Sequence, residues 1–219
     1  MESDARSGGR SSPRGTRFAR EQSELEFARI VAFSDGVFAI AMTLLVLALR
    51  VPESTTDLPE ALRDQLPDLF AFALSFAVLA QVWFFHHRFF GALGRFDSTL
   101  IGLNFLYLAL VALVPFTSEL IGDFGDQSIA AVVYAANMSG IGMAGAVMVR
   151  YAFARELIRP DVAASLGISG GLQSWWVGVV FLVSIPIAAV SASAAEWTWL
   201  ILLVGGGLVV RRLVRQASE

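Results

Sequence analysis

Apolar positions fall into six long runs separated by short polar stretches. The first, Arg29–Leu49, is 21 residues, long enough to cross a bilayer as a helix. Others follow at about Leu66–Phe85, Thr99–Leu120, Ser128–Val149, Leu172–Val190 and Trp197–Val210, the last being the shortest. Pro115 lies near the far end of the third run and Pro186 inside the fifth. Gly140, Gly142 and Gly145 in the fourth and Gly205–Gly207 in the sixth predict close helix approach through small-residue packing. Trp175, Trp176, Trp197 and Trp199 fall near predicted span ends, where indoles anchor at the membrane interface. The pattern around Phe33 occurs once, so no internal duplication is read.

Composition agrees with this pattern. Hydrophobic residues make up 56% of the 219 positions and charged residues 16%, with a mean hydropathy of +0.64. That balance describes an all-α integral membrane protein rather than a soluble domain. The chain has no cysteine, which removes disulfides, thiolate catalysis and cysteine-ligated metals. Its 16 basic side chains are all arginine.

The net charge of −3 conceals strong segregation. Arg6, Arg10, Arg14, Arg17, Arg20 and Arg29 precede the first span. Arg88 and Arg95 lie between the second and third, Arg150, Arg155 and Arg159 between the fourth and fifth, and Arg211, Arg212 and Arg215 after the sixth. The alternate loops carry Glu53, Asp57, Glu60, Asp64 and Asp68, then Glu119, Asp123 and Asp126, then Glu196, with Arg50 and Arg63 their only basic residues. The positive-inside rule predicts six spans with both termini cytoplasmic. Residues 1–24, rich in Arg, Ser and Gly, read as a disordered basic tail, residues 25–215 as the transmembrane domain and 216–219 as a C-terminal tail. The tail is too long and too polar for a signal peptide. Its place ahead of a span favours a topology and lipid-surface role for its arginines over a nucleic-acid one, and no nucleic-acid partner is expected.

Polar side chains inside the runs are the candidates for function. On a helical wheel, Phe33, Gly36, Ile40, Thr43 and Leu47 form one narrow seam, while Ser34 and Asp35 lie roughly 120° and 220° from Ile40. An apolar seam of this kind serves either a pore or a packing interface. Asp35 is poorly placed to ring a pore lined by that seam and better placed to brace the helix from behind. Arg29, Asn104 and His86 lie at matching depth, so Ser34, Asp35, His86 and Asn104 form a candidate network for groups that lipid cannot satisfy. Two readings of such a network stand side by side, helix packing alone and a part in gating. No metalloprotease, nucleophile-elbow or phosphate-loop motif is present. Neighbouring histidines on a helix diverge, so His86 and His87 do not make a metal site alone. Neither an enzyme nor a resident cofactor is expected.

From Arg29 through Phe33, Ser34 and Asp35, the sequence resembles the transmembrane-protein-175 family of potassium channels. The likeness continues in GVFAIAMTLLVL, in SFAVLAQVWFFHHRFF with Trp83 and His86, and in Asp97 followed by LIGLNFLYLALVALVPF with Asn104 and Pro115–Phe116. It covers about Arg29–Phe116. The resemblance implies a potassium-permeable channel without a TVGYG filter, built here as a homotetramer of six-span chains around a central pore in the bacterial plasma membrane. It implies a pore lined by the first helix, with a hydrophobic constriction at Ile40 and inward positions at Thr43 and Leu47. Arg29, Phe33, Ser34, Asp35, Trp83, His86, Asp97 and Asn104 match the family motif and are expected to brace that helix. Potassium would bind only in transit, with lipids as the other partners. A proton-coupled secondary transporter is the alternative, since intramembrane Asp and His can couple protons to a substrate.

Overall fold

A chain crossing lipid must satisfy its backbone polar groups internally, and each of the first five apolar runs is helical. The computed structural model describes residues 13–49, 57–125, 127–192, 194–195 and 197–199. Helix α1 spans Pro13–Leu44 and tightens into a 3-10 turn over Leu45–Ala48. It is followed by α2 (Leu58–Asp64), α3 (Leu66–Gly91), α4 (Ser98–Ala112), α5 (Val114–Phe124), α6 (Ser128–Ala154) and α7 (Pro160–Val190). Among the described residues, Glu24–Ala48, Ser98–Phe124 and Ser128–Ala154 are long and apolar enough to cross a membrane, and Trp176–Val190 is a shorter apolar helix. The sixth apolar run lies almost wholly outside the described residues. The helix α1 starts inside the segment read as a tail, and residues 1–12 lie outside the description.

Helix boundaries have local causes. Asp97 caps α4, its Oδ1 accepting from the Leu100 N–H at 2.8 Å. The third apolar run breaks at Leu113 because Pro115, in the first turn of α5, has no N–H to continue the ladder. Pro186 stays inside α7. That helix starts at Pro160, earlier than the expected Leu172, because proline at a first turn begins a helix well while the segment that follows lacks the apolar density of a span.

Helix α6 packs chiefly on α7 and also meets α4 and α5. The close approach is built on glycine. A Cβ on Gly178 of α7 would lie 3.1 Å from the backbone of Gly142 and Met143, and Ser139 Oγ donates to the Gly178 carbonyl at 3.2 Å. Trp199 corrects the expectation of an interfacial anchor. It is 1% exposed, packs on Tyr134 and Phe181, and donates from Nε1 to Ser184 Oγ at 2.8 Å. Trp197, by contrast, is largely exposed.

At one end of the bundle the two arginine-bearing connections, α3–α4 and α6–α7, meet. Gly94 N–H donates to the Leu157 carbonyl at 2.8 Å and Arg159 N–H to the Ala92 carbonyl at 3.0 Å, around a Leu93–Ile158 bridge. Glu156, with φ 55°, turns the chain between α6 and this loop.

Candidate functional site

The two faces of α1 have different fates. Ser34, Phe38, Ala41 and Leu45, spaced as a heptad seam, are at most 2% exposed and face the bundle. Phe33, Ile40 and Leu47 are 52%, 61% and 71% exposed, Thr43 is exposed and Gly36 is half-buried. Of the seam read from the wheel, Ile40, Thr43 and Leu47 are therefore left largely uncovered among the described residues, while Phe33 keeps a ring contact with α4. Thr43 Oγ1 donates to the Ile40 carbonyl at 2.9 Å, which leaves its lone pairs directed away from the helix backbone.

Behind the buried face lies a one-way chain of hydrogen bonds. His86 Nε2–H donates to Asn104 Oδ1 at 2.8 Å, Asn104 Nδ2 donates to Ser34 Oγ at 3.0 Å, and Ser34 Oγ–H donates to the Ile30 carbonyl at 2.9 Å. The last bond fixes the direction, because a serine hydroxyl has one proton to give. These bonds join α3, α4 and α1 among the most buried polar groups of the protein. Aromatic rings wall in His86, with Phe90 at 4.3 Å, Phe38 at 5.4 Å and Tyr107 at 5.6 Å between centroids.

Asp35 is not a link in that chain. Its Oδ1 accepts from Trp83 Nε1 at 2.8 Å, a separate tie between α1 and α3, and Trp83 stacks on the exposed His87. Arg29 and Phe33 line a groove of about 380 Å³ between α1 and α4, together with Glu26, Phe96, Asn104 and Phe105. Phe33 leans on Phe105 at 5.6 Å. Asp97 does two things. Besides capping α4 it accepts from Tyr151 Oη at 2.8 Å, so it links the start of α4 to the end of α6. The Leu100 N–H above all, with Tyr151 and Arg155, holds its carboxyl below the usual value.

Sequence reasoning missed the partners Tyr151, Phe38 and Tyr107. The positions 34, 38, 41 and 45 do have heptad spacing, but almost every α1 residue near them is apolar, so no contrast marked the buried face. A second polar cluster was also missed. Ser75 and Ser118 hydroxyls lie 2.8 Å apart, and Asn137 Nδ2 donates to Thr117 Oγ1 at 3.3 Å, between α3, α5 and α6. Among the described residues there is no group of three or more His, Cys, Asp or Glu side chains able to hold a metal.

Comparison with known proteins places these features. Residues 29–115 match the family model described as endosomal/lysosomal potassium channel TMEM175. A protein from Chamaesiphon minutus named a potassium channel is 44% identical over 124 residues, 53% of this chain and 60% of its own. The chain thus spans about three-fifths of that relative. A protein from Danio rerio named an endosomal/lysosomal proton channel TMEM175 is 26% identical over 61% of this chain and 26% of its own. The crystal structure of a lysosomal potassium-selective channel TMEM175 homolog from Chamaesiphon minutus superposes with a TM-score of 0.68 at 30% identity, covering 84% of this chain and 98% of that one.

Proposed function

The chain belongs to the TMEM175 family of channels, and from that premise we propose that it is a potassium-permeable cation channel whose pore is lined by α1. Four chains of six spans each, with both termini cytoplasmic, surround the axial path. The observation that carries the reading is the split of α1, with one seam sealed into the bundle and Ile40 and Leu47, on another face, left uncovered among the described residues. The pairing of the two arginine-bearing connections at one end supports the orientation.

Ile40 forms the constriction. A narrow ring of isoleucine offers a potassium ion nothing in place of its hydration shell, so the throat conducts only when it widens enough to hold water. Thr43, its proton given to the Ile40 carbonyl, presents oxygen lone pairs next to that ring, a hard donor suited to an alkali cation. Leu47 continues the seam. The His86–Asn104–Ser34 chain and the Trp83–Asp35 bond hold α1 against α3 and α4 and so set the width of the ring. Arg29, Phe33 and Asp97 complete the brace at the arginine-bearing end.

Ile40→Asn in liposomes tests the assignment. Potassium flux is expected to rise on the order of tenfold, as for a barrier lowered by ~1.4 kcal/mol. Unchanged flux removes Ile40 from the constriction. The vertebrate relative's name favours a second reading, in which protons permeate, and the buried His86 chain gives that reading a titratable group. Flux of potassium down its gradient with pH clamped, set against acidification of the lumen in potassium-free buffer, separates the two. A proton-coupled carrier differs from both by moving a second ion in fixed ratio.

A further inference from the structure

Where α6 ends, the joined connections line a half-open cavity of about 510 Å³ to which α1 contributes no residue. Its floor is apolar, from Ala152, Phe153 and Ala163, and Arg95, Glu156 and Arg159 stand on its rim. The membrane-capable helix Ser128–Ala154 stops at this level, so the cavity lies where hydrocarbon gives way to headgroups. The inference rests on that membrane reading of α6 and not on ion conduction.

The rim carries both signs of charge, and among the described residues neither is fully paired. Arg95 spends one Nη2 donor on the Glu156 carbonyl at 3.2 Å and keeps the rest of its fork. Arg159 Nε is 3.9 Å from Asp161 Oδ1, too long for a hydrogen bond, and both side chains are at least 48% exposed. The stem of Arg159 is fixed by Gly94, where an added Cβ would come within 3.0 Å of its Cγ. Glu156 occupies a left-handed backbone position that favours glycine, so a carboxylate is kept there at a cost of about 1 kcal/mol.

A simple anion would meet Glu156, and a simple cation would meet two arginines. A group bearing both charges over an acyl tail satisfies the whole rim. We propose that this cavity binds the headgroup of a zwitterionic phospholipid with a primary amine, of the phosphatidylethanolamine class. Its phosphate lies between Arg95 and Arg159, its ammonium on Glu156, and its chain runs over Phe153 and Ala163. The bound lipid would clamp the α3–α4 connection to the α6–α7 connection.

The full chain in detergent, titrated with phosphatidylethanolamine or phosphatidylglycerol and read by native mass spectrometry, tests this. The protein is expected to bind phosphatidylethanolamine about tenfold more tightly than phosphatidylglycerol, the effect of one charge-assisted hydrogen bond. Arg95→Gln with Arg159→Gln lowers affinity for both lipids, whereas Glu156→Gln removes only the preference between them. Glu156→Gly, which suits the left-handed backbone, repeats that arm if the glutamine variant does not fold. Equal binding by all proteins overturns the site. Equally tight binding of glycerophosphoethanolamine, which has no acyl chains, reassigns it to a soluble phosphoester and overturns the lipid.

Discussion

Asn104 makes the largest demand on its surroundings, since both ends of its amide are used in a buried place. Asn104→Leu strands His86 Nε2–H and one acceptor site of Ser34. A buried donor or acceptor left without a partner costs ~1–3 kcal/mol, and the thermal midpoint of the purified protein is expected to fall accordingly. Ser34→Ala leaves the His86–Asn104 bond and strands only the Asn104 Nδ2 donor, one buried group instead of two, so its loss is smaller, toward the ~1 kcal/mol end of that range. If the two variants melt alike, Asn104 does not bridge the helices. Asp97 gives a pH-dependent term. Its carboxyl is held below the ordinary 3.8, so the stabilisation it gives is present above that value and is lost as pH falls through the lower folded value. The advantage of the unaltered protein over Asp97→Ala in thermal melts should therefore hold at pH 5 and above and shrink below pH 3.8.

At the scale of elements, the α6–α7 contact depends on two facing glycines. Gly178→Val pushes a side chain against backbone at Gly142, which cannot turn aside as a flexible side chain would. Overpacking of this kind costs ~1–3 kcal/mol, read as a drop in folded yield or midpoint. Gly140→Ala meets the Leu110 side chain, with Cδ1 nearest at 3.3 Å, a group able to yield, and should be the milder change. The break between α4 and α5 belongs to this scale as well. Pro115 removes a ladder bond at the point where Thr117 and Ser118 turn toward Asn137 and Ser75.

The whole molecule sets what the exposed seam of α1 means. Ile40 and Leu47 at 61% and 71% exposed are unremarkable against lipid, but in a tetramer they line water or pack on their copies. Asp35→Ala removes the Trp83 tie and should lower the yield of the proposed tetramer in size-exclusion chromatography with light scattering. Full assembly with altered conductance would instead put Asp35 on the ion path. Cysteine introduced at Ile40, in a chain that has none of its own, should cross-link copies of the chain under oxidation if four α1 helices share an axis.

The membrane character, the helical class and the trio of Ser34, His86 and Asn104 were legible in the sequence alone. Long apolar runs admit few alternatives in lipid, and isolated polar groups within them must find one another at equal depth. Depth does not fix direction around a helix axis, so only the tertiary structure separated Asp35, bonded to Trp83, from the chain that ends on Ile30. The same limit hid the buried seam of α1, where uniformly apolar residues show no face until α3 and α4 cover one side. It also misplaced Trp199, because an indole at a span end looks alike in sequence whether lipid or Ser184 receives its N–H. The sequence determined which groups must be satisfied, and packing decided which partners satisfied them.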